Sequence, residues 1–248
     1  MLAKADAQHF DGISLRRNRA RLAFLRHNEA EMEELLKWAE GKPDADHSLL
    51  YDRAMTEAYR GHYTNDRMLL ARVSGLAAEE NDLPSVNSYL SDGALIEAEA
   101  GNLPQALQLV EQELKGPQQR ATRPRLALAL ARSGQAARAR ELGDSLSKTA
   151  PVSTIFQNYY LPTIQAAIAM DAKEPAEAIR ILERTKQYDF AYPESFAYLY
   201  PADIRGLAYL QLGEGPRAKT EFQKLLDHPG FVGANVIGAL SRLHWREP

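Results

Sequence analysis

The fold is decided by the stretch Ala94-Leu-Ile-Glu-Ala-Glu-Ala-Gly101-Asn-Leu-Pro-Gln-Ala106. An alanine precedes a glycine by seven residues, and a second alanine follows that glycine by five. Glycine is the residue that most often takes the left-handed conformation at a helix end, while Asn102 and Pro104 are typical of the N-cap and first turn of the next helix. The stretch therefore predicts two antiparallel helices that pack closely through their alanines.

The same pattern recurs along the chain. Six helix breaks each follow a small residue by seven positions, and successive breaks are 34, 40, 33, 39 and 40 residues apart. A period of this size, made of two helices, predicts a helical solenoid. The breaks are His27, Gly61, Gly101, Gly134, Lys173 and Gly213; the small residues are Ala20, Ala54, Ala94, Ala127, Ala166 and Gly206; and the alanines after the last four breaks are Ala106, Ala139, Ala178 and Ala218.

Helical periodicity continues nearly from end to end, without strand-type alternation. We therefore predict an all-α fold, a right-handed α-solenoid of about six helix–turn–helix repeats plus a terminal helix, in a single domain covering 1–248. Pro162 marks either a helix start or a kink. The last helix has no partner after it, so we expect the chain to be part of a larger protein or this helix to pack elsewhere. The predicted repeats are 15–43, 48–81, 84–116, 121–151, 154–187 and 200–230, with the extra helix at 236–245.

The composition excludes several classes of function. Of 248 residues 45% are apolar and 25% are charged, and the net charge of −3 gives no general attraction to nucleic acid or membrane. The absence of cysteine excludes disulfides, thiolate metal sites and cysteine nucleophiles. The apolar runs are too short to span a bilayer, and the N-terminus has no signal-peptide core. We expect a cytoplasmic location.

One repeat, Tyr200–Gly230, resembles the tetratricopeptide consensus, with Gly206, Tyr209, Gly213 and Phe222 at its spacings. Longer segments are similar to the C-terminal tetratricopeptide region of bacterial serine/threonine protein kinases and related multidomain signalling proteins. The resemblance implies a non-catalytic module that binds or organises other proteins; the chain itself lacks the glycine-rich and His-Arg-Asp motifs of a kinase. The segments are Leu22–Arg26, Lys37–Pro43, Tyr160–Ala169, Arg205–Leu210, Glu221–Gly230 and Ile237–Leu240.

By analogy with tetratricopeptide grooves, the first helix of each repeat lines a concave face that binds a protein or peptide ligand. The alternative is self-association, in which a homodimer formed through Leu243 and Trp245 brings attached domains together. We expect no nucleic-acid partner for this domain and no membrane segment. The residues predicted to face the groove are Ser91, Arg132, Tyr160, Thr163, Asp171, Asp203 and Gln211.

A catalytic alternative rests on Gly143-Asp-Ser-Leu-Ser147, which matches the opening motif of a family of serine hydrolases. That chemistry needs a serine at a strand end and a later Asp-x-x-His. Here Ser145 falls within a predicted helix, and the two Asp-x-x-His matches, Asp6–His9 and Asp44–His47, both precede it. We therefore favour a helix surface on which Gly143 allows close packing, and we predict that the chain is not an enzyme.

Other polar clusters have plain structural interpretations. The six histidines include no i, i+4 pair with a helical glutamate, so we predict no zinc site and no cofactor; His27 and His228 are assigned to helix ends. The acidic run Glu29–Glu34 suits a solvated helix start. The arginines between 120 and 140 either bind an acidic segment or lie on solvated faces. The aromatic stretch 188–200 is either a recognition surface or the packing of a long loop.

Overall fold

The structure is a computed structural model that describes residues 12–116, 119–191 and 199–246. The described residues form helices and turns, and none of them lies in a strand, which confirms the predicted all-α class. The helices are α1 (Ile13–Leu25), α2 (Glu29–Ala39), α3 (Ala45–Tyr59), α4 (Tyr63–Glu79), α5 (Leu83–Glu99), α6 (Leu103–Lys115), α7 (Arg123–Arg132), α8 (Ala136–Thr149), α9 (Leu161–Asp171), α10 (Pro175–Leu182), α11 (Tyr200–Gln211), α12 (Gly215–Asp227), α13 (Pro229–Val232) and α14 (Val236–Arg246).

The six predicted breaks share one backbone geometry. Each break residue is in the left-handed region, with φ between 55° at His27 and 80° at Gly101, and non-glycine residues occupy this region at His27 and Lys173. At every break the N–H of the following residue donates to the carbonyl oxygen of the residue five positions before it, as Asn102 N does to Glu97 O at 2.8 Å. This is the Schellman bond that ends a helix on a left-handed residue. The predicted breaks are therefore confirmed.

The small residues lie where the paired helices touch. Four of the alanines that precede a break, among them Ala94 and Ala127, are 0% exposed, and the alanines after the last four breaks are at most 1% exposed. Gly206 shows why size matters, because a Cβ atom there would lie 2.5 Å from Cε1 of Phe222 on α12. The predicted close packing of each helix pair through small residues is confirmed at these positions.

The chain divides into two compact units, one of residues 1–89 with 233–235 and one of residues 90–232 with 236–248, and the boundary falls inside α5. In the first unit α1 pairs with α2 and α3 with α4, and α1 also packs along α3. In the second unit the pairs are α7–α8, α9–α10 and α11–α12, and α9 packs between α7 and α11. Both units are thus stacks of helix pairs, and the single domain over 1–248 stays a prediction.

Two details refine the predicted helices. A π-helical segment, Phe156–Tyr160, runs directly into α9, and the continuous helical stretch begins at Thr154, so Pro162 lies about two turns inside it and does not mark its start. The last helix, α14, packs on α12 and α11 through buried Val236 and Ile237. None of the helices in the described ranges is both long and apolar enough to cross a membrane.

Candidate functional site

Two ion pairs join α5 and α7 in the second unit. Asp92 Oδ1 lies 2.5 Å from Arg125 Nη1. Glu99 forms a bidentate ion pair with Arg132, in which Nε donates to Oε1 at 2.9 Å and Nη2 donates to Oε2 at 2.6 Å. Each pair joins residues 33 positions apart, the distance between the breaks Gly101 and Gly134. Equivalent positions of adjacent repeats lie side by side in a stack of repeats. The pairs therefore form a ladder of opposite charges between two successive first helices.

A third carboxylate joins this ladder from α11. Asp203 is 2% exposed, and Ser241 Oγ donates to its Oδ1 at 3.4 Å. Burial and the charge of Glu99 together raise the pKa of Asp203 to about 7, although the charge of Arg132 and the Ser241 hydrogen bond lower it. Burial also works against the charge of Arg132, but Glu99 and then Asp203 outweigh it, so the pKa of Arg132 is raised. We call the five residues Asp92, Glu99, Arg125, Arg132 and Asp203 the charged seam.

Glu113 on α6 borders the charged seam. Its side chain is buried, and the hydroxyl of Thr122 donates to Oε1. Burial raises the pKa of Glu113 to about 7, although the Thr122 hydrogen bond and the charge of Arg125 lower it. Two carboxyl groups of the second unit, Glu113 and Asp203, thus change charge near neutral pH.

The seven residues predicted to face the groove fall into two groups. Ser91, Tyr160, Thr163 and Asp203 are at most 6% exposed, because this part of each first helix faces its neighbours in the stack. Arg132 is half-buried with its side chain 21% exposed, whereas Asp171 and Gln211 are exposed. The structure therefore brings Arg132 and Asp203 together in the charged seam, and it gives solvent access to three of the seven residues.

The three accessible residues share one position in the repeat, two residues before the break, and Glu99, whose side chain is 1% exposed, occupies the same position on α5. Glu99, Arg132, Asp171 and Gln211 occupy it on α5, α7, α9 and α11. The ends of α7 and α9 lie close together, since a Cβ atom on Gly134 would be 3.7 Å from Asp171 Oδ1. We call these four residues the outer row. Sequence reasoning selected three of them but missed Glu99, which the 33-residue offset from Arg132 identifies.

A second buried ionic cluster was not anticipated. The side chain of Arg205 on α11 is 0% exposed; its Nη1 donates to Thr185 Oγ1 at 2.9 Å, and its Nη2 lies 2.6 Å from Asp189 Oδ2 and 3.0 Å from Glu221 Oε2. Lys224 also contacts both carboxylates. The two cations balance the two carboxylates, although Arg205 Nε and Asp189 Oδ1 form no hydrogen bond with the described residues, and this cluster has the character of a structural element.

Several of the other candidate residues, among them arginines between 120 and 140, have contacts that explain them as structural. Among the arginines between 120 and 140, Arg125, Arg132 and Arg138 pair with carboxylates, Arg138 with Glu111 at 2.5 Å. Ser145 lies exposed within α8, while Gly143 on the buried side faces Leu161, as its packing role requires.

Part of the predicted aromatic stretch can be placed. Phe190 is 50% exposed, with its ring 4.5 Å from that of His228, and Tyr200 is buried. His228 itself caps α12 as expected, and its Nδ1 lies 2.8 Å from Lys224 O. The aromatic residues Tyr192, Phe196 and Tyr198 lie outside the described residues.

Comparison with known proteins gives one similar structure. A crystal structure of a tetratricopeptide repeat protein from Parabacteroides merdae matches 94% of this chain and 98% of its own, with 16% sequence identity and a TM-score of 0.42. No protein-family model matches the chain, and no curated protein matches it.

Proposed function

We propose that this chain is a non-catalytic module that binds an extended segment of a partner protein along the outer row. The observation that carries the proposal is the repetition of one polar position on four successive first helices of the second unit, where Arg132 is held by buried Glu99. A guanidinium fixed in a two-pronged ion pair loses little rotamer freedom when a ligand contacts it. Such a side chain is prepared for recognition before the ligand arrives.

The spacing of the outer row suits an extended chain. Packed helices lie about 8–10 Å apart, and an extended peptide advances about 3.3 Å per residue. Each repeat would therefore contact about every third residue of the bound segment. Asp171 offers an exposed carboxylate and Gln211 an exposed amide, so the favoured segment carries a basic residue opposite Asp171.

The cellular setting is a separate part of the proposal. The likeness of the repeat segments to bacterial kinase-associated repeats supports a role as a scaffold in a cytoplasmic signalling protein. The outer row does not depend on this setting, because its contacts arise from the helices of the chain itself.

The test is a selection of peptides from a random displayed library on the whole chain, followed by affinity measurement. We expect Asp171→Lys to weaken the selected peptide by about tenfold or more, since a basic ligand residue would then meet a like charge. The matched control is Glu141→Lys, an equal charge reversal at an exposed position of α8. Because Asp171 ends a helix, a lysine there also suits the helix dipole and should leave Tm unchanged.

The proposal fails if Asp171→Lys binds the selected peptides as tightly as the unchanged chain, or if Glu141→Lys weakens their binding equally.

A homodimer through α14 has less support. Trp245 packs with Tyr209 and Phe222, and Lys219 lies 4.2 Å from the centre of its ring, while Leu243 is exposed. One exposed leucine is ordinary on a protein surface.

A further inference from the structure

A buried histidine in the first unit has one ring nitrogen without a hydrogen-bond partner. His47, near the start of α3, is 1% exposed, and its Nδ1 lies 2.7 Å from the hydroxyl of Tyr89. Its Nε2 is buried, and no hydrogen bond reaches it from the residues that the structure describes. Leaving a buried polar atom in this condition is unfavourable, so the atom calls for an explanation.

Three carboxylates surround this nitrogen. Nε2 lies 3.4 Å from Glu80 Oε2 and 3.9 Å from Asp82 Oδ2, and a ring nitrogen of His47 and one carboxylate oxygen each of Asp44 and Glu80 lie within 4.8 Å of one another. Asp44 belongs to the turn before α3, whereas Glu80 and Asp82 belong to the turn between α4 and α5. We call Asp44, His47, Glu80 and Asp82 the histidine corner.

The histidine corner is short of positive charge. Within the described part of the chain, no lysine or arginine forms an ion pair with Asp44, Glu80 or Asp82. The first unit pairs other carboxylates readily, as in the contact of Asp52 with Arg17 at 2.8 Å. Carboxylates gathered around an imidazole without a cationic side chain repel one another, and a bound cation would remove that repulsion.

We propose that the histidine corner binds a divalent transition-metal ion of the zinc class, with His47 Nε2, Glu80 and Asp44 as ligands and Asp82 as a fourth. Zinc binds nitrogen and oxygen ligands at about 2.0–2.2 Å, and a tetrahedron of such bonds places neighbouring ligand atoms about 3.4 Å apart. The distance from Nε2 to Glu80 Oε2 already has this value. The two aspartates need only move their side chains inward.

The surroundings orient the ligands. A proton on Nδ1 donates to the Tyr89 hydroxyl and leaves the lone pair of Nε2 facing the carboxylates, the arrangement found for metal-binding histidines. The backbone N–H of Asp44 donates to Glu80 Oε2 at 2.8 Å, and that of Ser85 donates to Asp82 Oδ1 at 3.2 Å.

The donor set selects the class of metal. Calcium and magnesium prefer sites made only of oxygen, whereas imidazole together with carboxylates suits zinc and its neighbours in the first transition row. The chain contains no cysteine, so no thiolate competes for the ion. A bound ion would join two turns of the first unit that lie 36 residues apart in sequence, as a structural metal does.

The test is calorimetric titration of the whole chain, first freed of metal by a chelator, with ZnCl2 at pH 7.5. We expect one ion per chain and a loss of affinity of about tenfold or more in His47→Gln and in Glu80→Gln. Glu80 is on the surface, so its variant tests the site even if His47→Gln folds poorly. Zinc should also raise the Tm of the unchanged chain but not that of Glu80→Gln.

The matched control is His62→Gln, since His62 is an exposed histidine whose Nδ1 lies 2.9 Å from Glu57 Oε2. Its affinity for zinc should equal that of the unchanged chain. In nitrogen NMR spectra the Nε2 resonance of His47 should shift on addition of zinc. The proposal is overturned if zinc does not bind, if His47→Gln and Glu80→Gln bind it unchanged, or if millimolar Mg²⁺ displaces it.

Discussion

The charged seam of the second unit and the histidine corner of the first gather carboxylates in opposite electrostatic settings. In the seam, arginine side chains lie against the carboxylates, Arg125 on Asp92 and Arg132 on Glu99. In the corner, three carboxylates surround a buried histidine, and none of the described lysines or arginines pairs with them. The chain's own cations oppose the carboxylates of the seam, whereas under our proposal the corner gains balance from a cation supplied by the solvent.

The difference teaches what a buried charge requires. A buried charge costs several kcal/mol unless a partner of opposite sign and sufficient hydrogen bonds accompany it. An arginine of the chain supplies both the opposite charge and the hydrogen bonds, and its contact is permanent. A metal ion supplies both only when it is present, so a region that relies on it gains a stability that depends on concentration.

The largest effect on the free energy of unfolding is expected when a completely buried arginine that pairs with carboxylates is replaced. Arg205→Met leaves Asp189 and Glu221 with Lys224 as their remaining cation, and we expect a loss of about 3–5 kcal/mol in the free energy of unfolding. Urea denaturation at pH 7.5 measures it. The control is Arg217→Met, which removes an exposed pair with Glu214 and a contact with Tyr209 and should cost much less than Arg205→Met. Equal losses of unfolding free energy in the two variants would show that buried and exposed ion pairs contribute alike.

A smaller effect is expected from the pH dependence of the charged seam. The pKa of Asp203 is raised from 3.8 to about 7, so between these values the folded chain binds a proton that the unfolded chain has released. The free energy of unfolding therefore falls as pH rises from about 4 to about 7 and is flat above, by about 1.4 kcal/mol for each unit of pKa difference.

Asp203→Asn removes this contribution, and Glu113, whose pKa is also raised to about 7, retains its own. The slope of stability against pH between 5 and 7 should therefore be shallower in the variant but not zero, as measured by urea denaturation at each pH. An unchanged slope would mean that Arg132 keeps Asp203 charged throughout, and the seam would then be balanced more fully than we describe.

The smallest effect is expected for a half-exposed pair in the first unit. Arg17 holds Asp52 through two hydrogen bonds of 2.8 Å, but its side chain is 26% exposed, and Arg21 lies 3.6 Å from the same carboxylate. Arg17→Met should therefore cost about 1 kcal/mol or less in urea denaturation. A loss as large as that of Arg205→Met would show that the first unit also depends on its own cations.

Much of the fold could be predicted from local sequence. All six breaks have the left-handed geometry that their spacing predicted, including His27 and Lys173, where no glycine marks the position. Helix α3 begins at Ala45, three residues before the predicted start of the repeat 48–81. The period of small residues constrains where helices meet, whereas the first turn of a helix has weaker signals.

The sites were harder to predict because they depend on contacts between distant turns. His47 meets Glu80 across 33 residues of sequence, and a search for paired histidines on one helix cannot detect a site with a single imidazole. The seam did leave a signal, since Asp92 with Arg125 and Glu99 with Arg132 are opposite charges one repeat apart. The sequence contains no signal for the burial of Ser91 and Thr163, because the width of a groove depends on how the repeats stack.

The ladder between α5 and α7 also makes the order of the repeats matter. Glu99, Arg132, Asp171 and Gln211 occupy the same place in consecutive repeats, yet only Arg132 is complementary to Glu99. Excising the 33 residues 102–134 would bring Asp171 to the place of Arg132 and set the carboxylates of Glu99 and Asp171 against each other. The repeats share the same pattern of alanines and glycines, but complementary charges specify which repeats can be neighbours. Recombination that exchanges or removes a repeat would therefore be unfavourable.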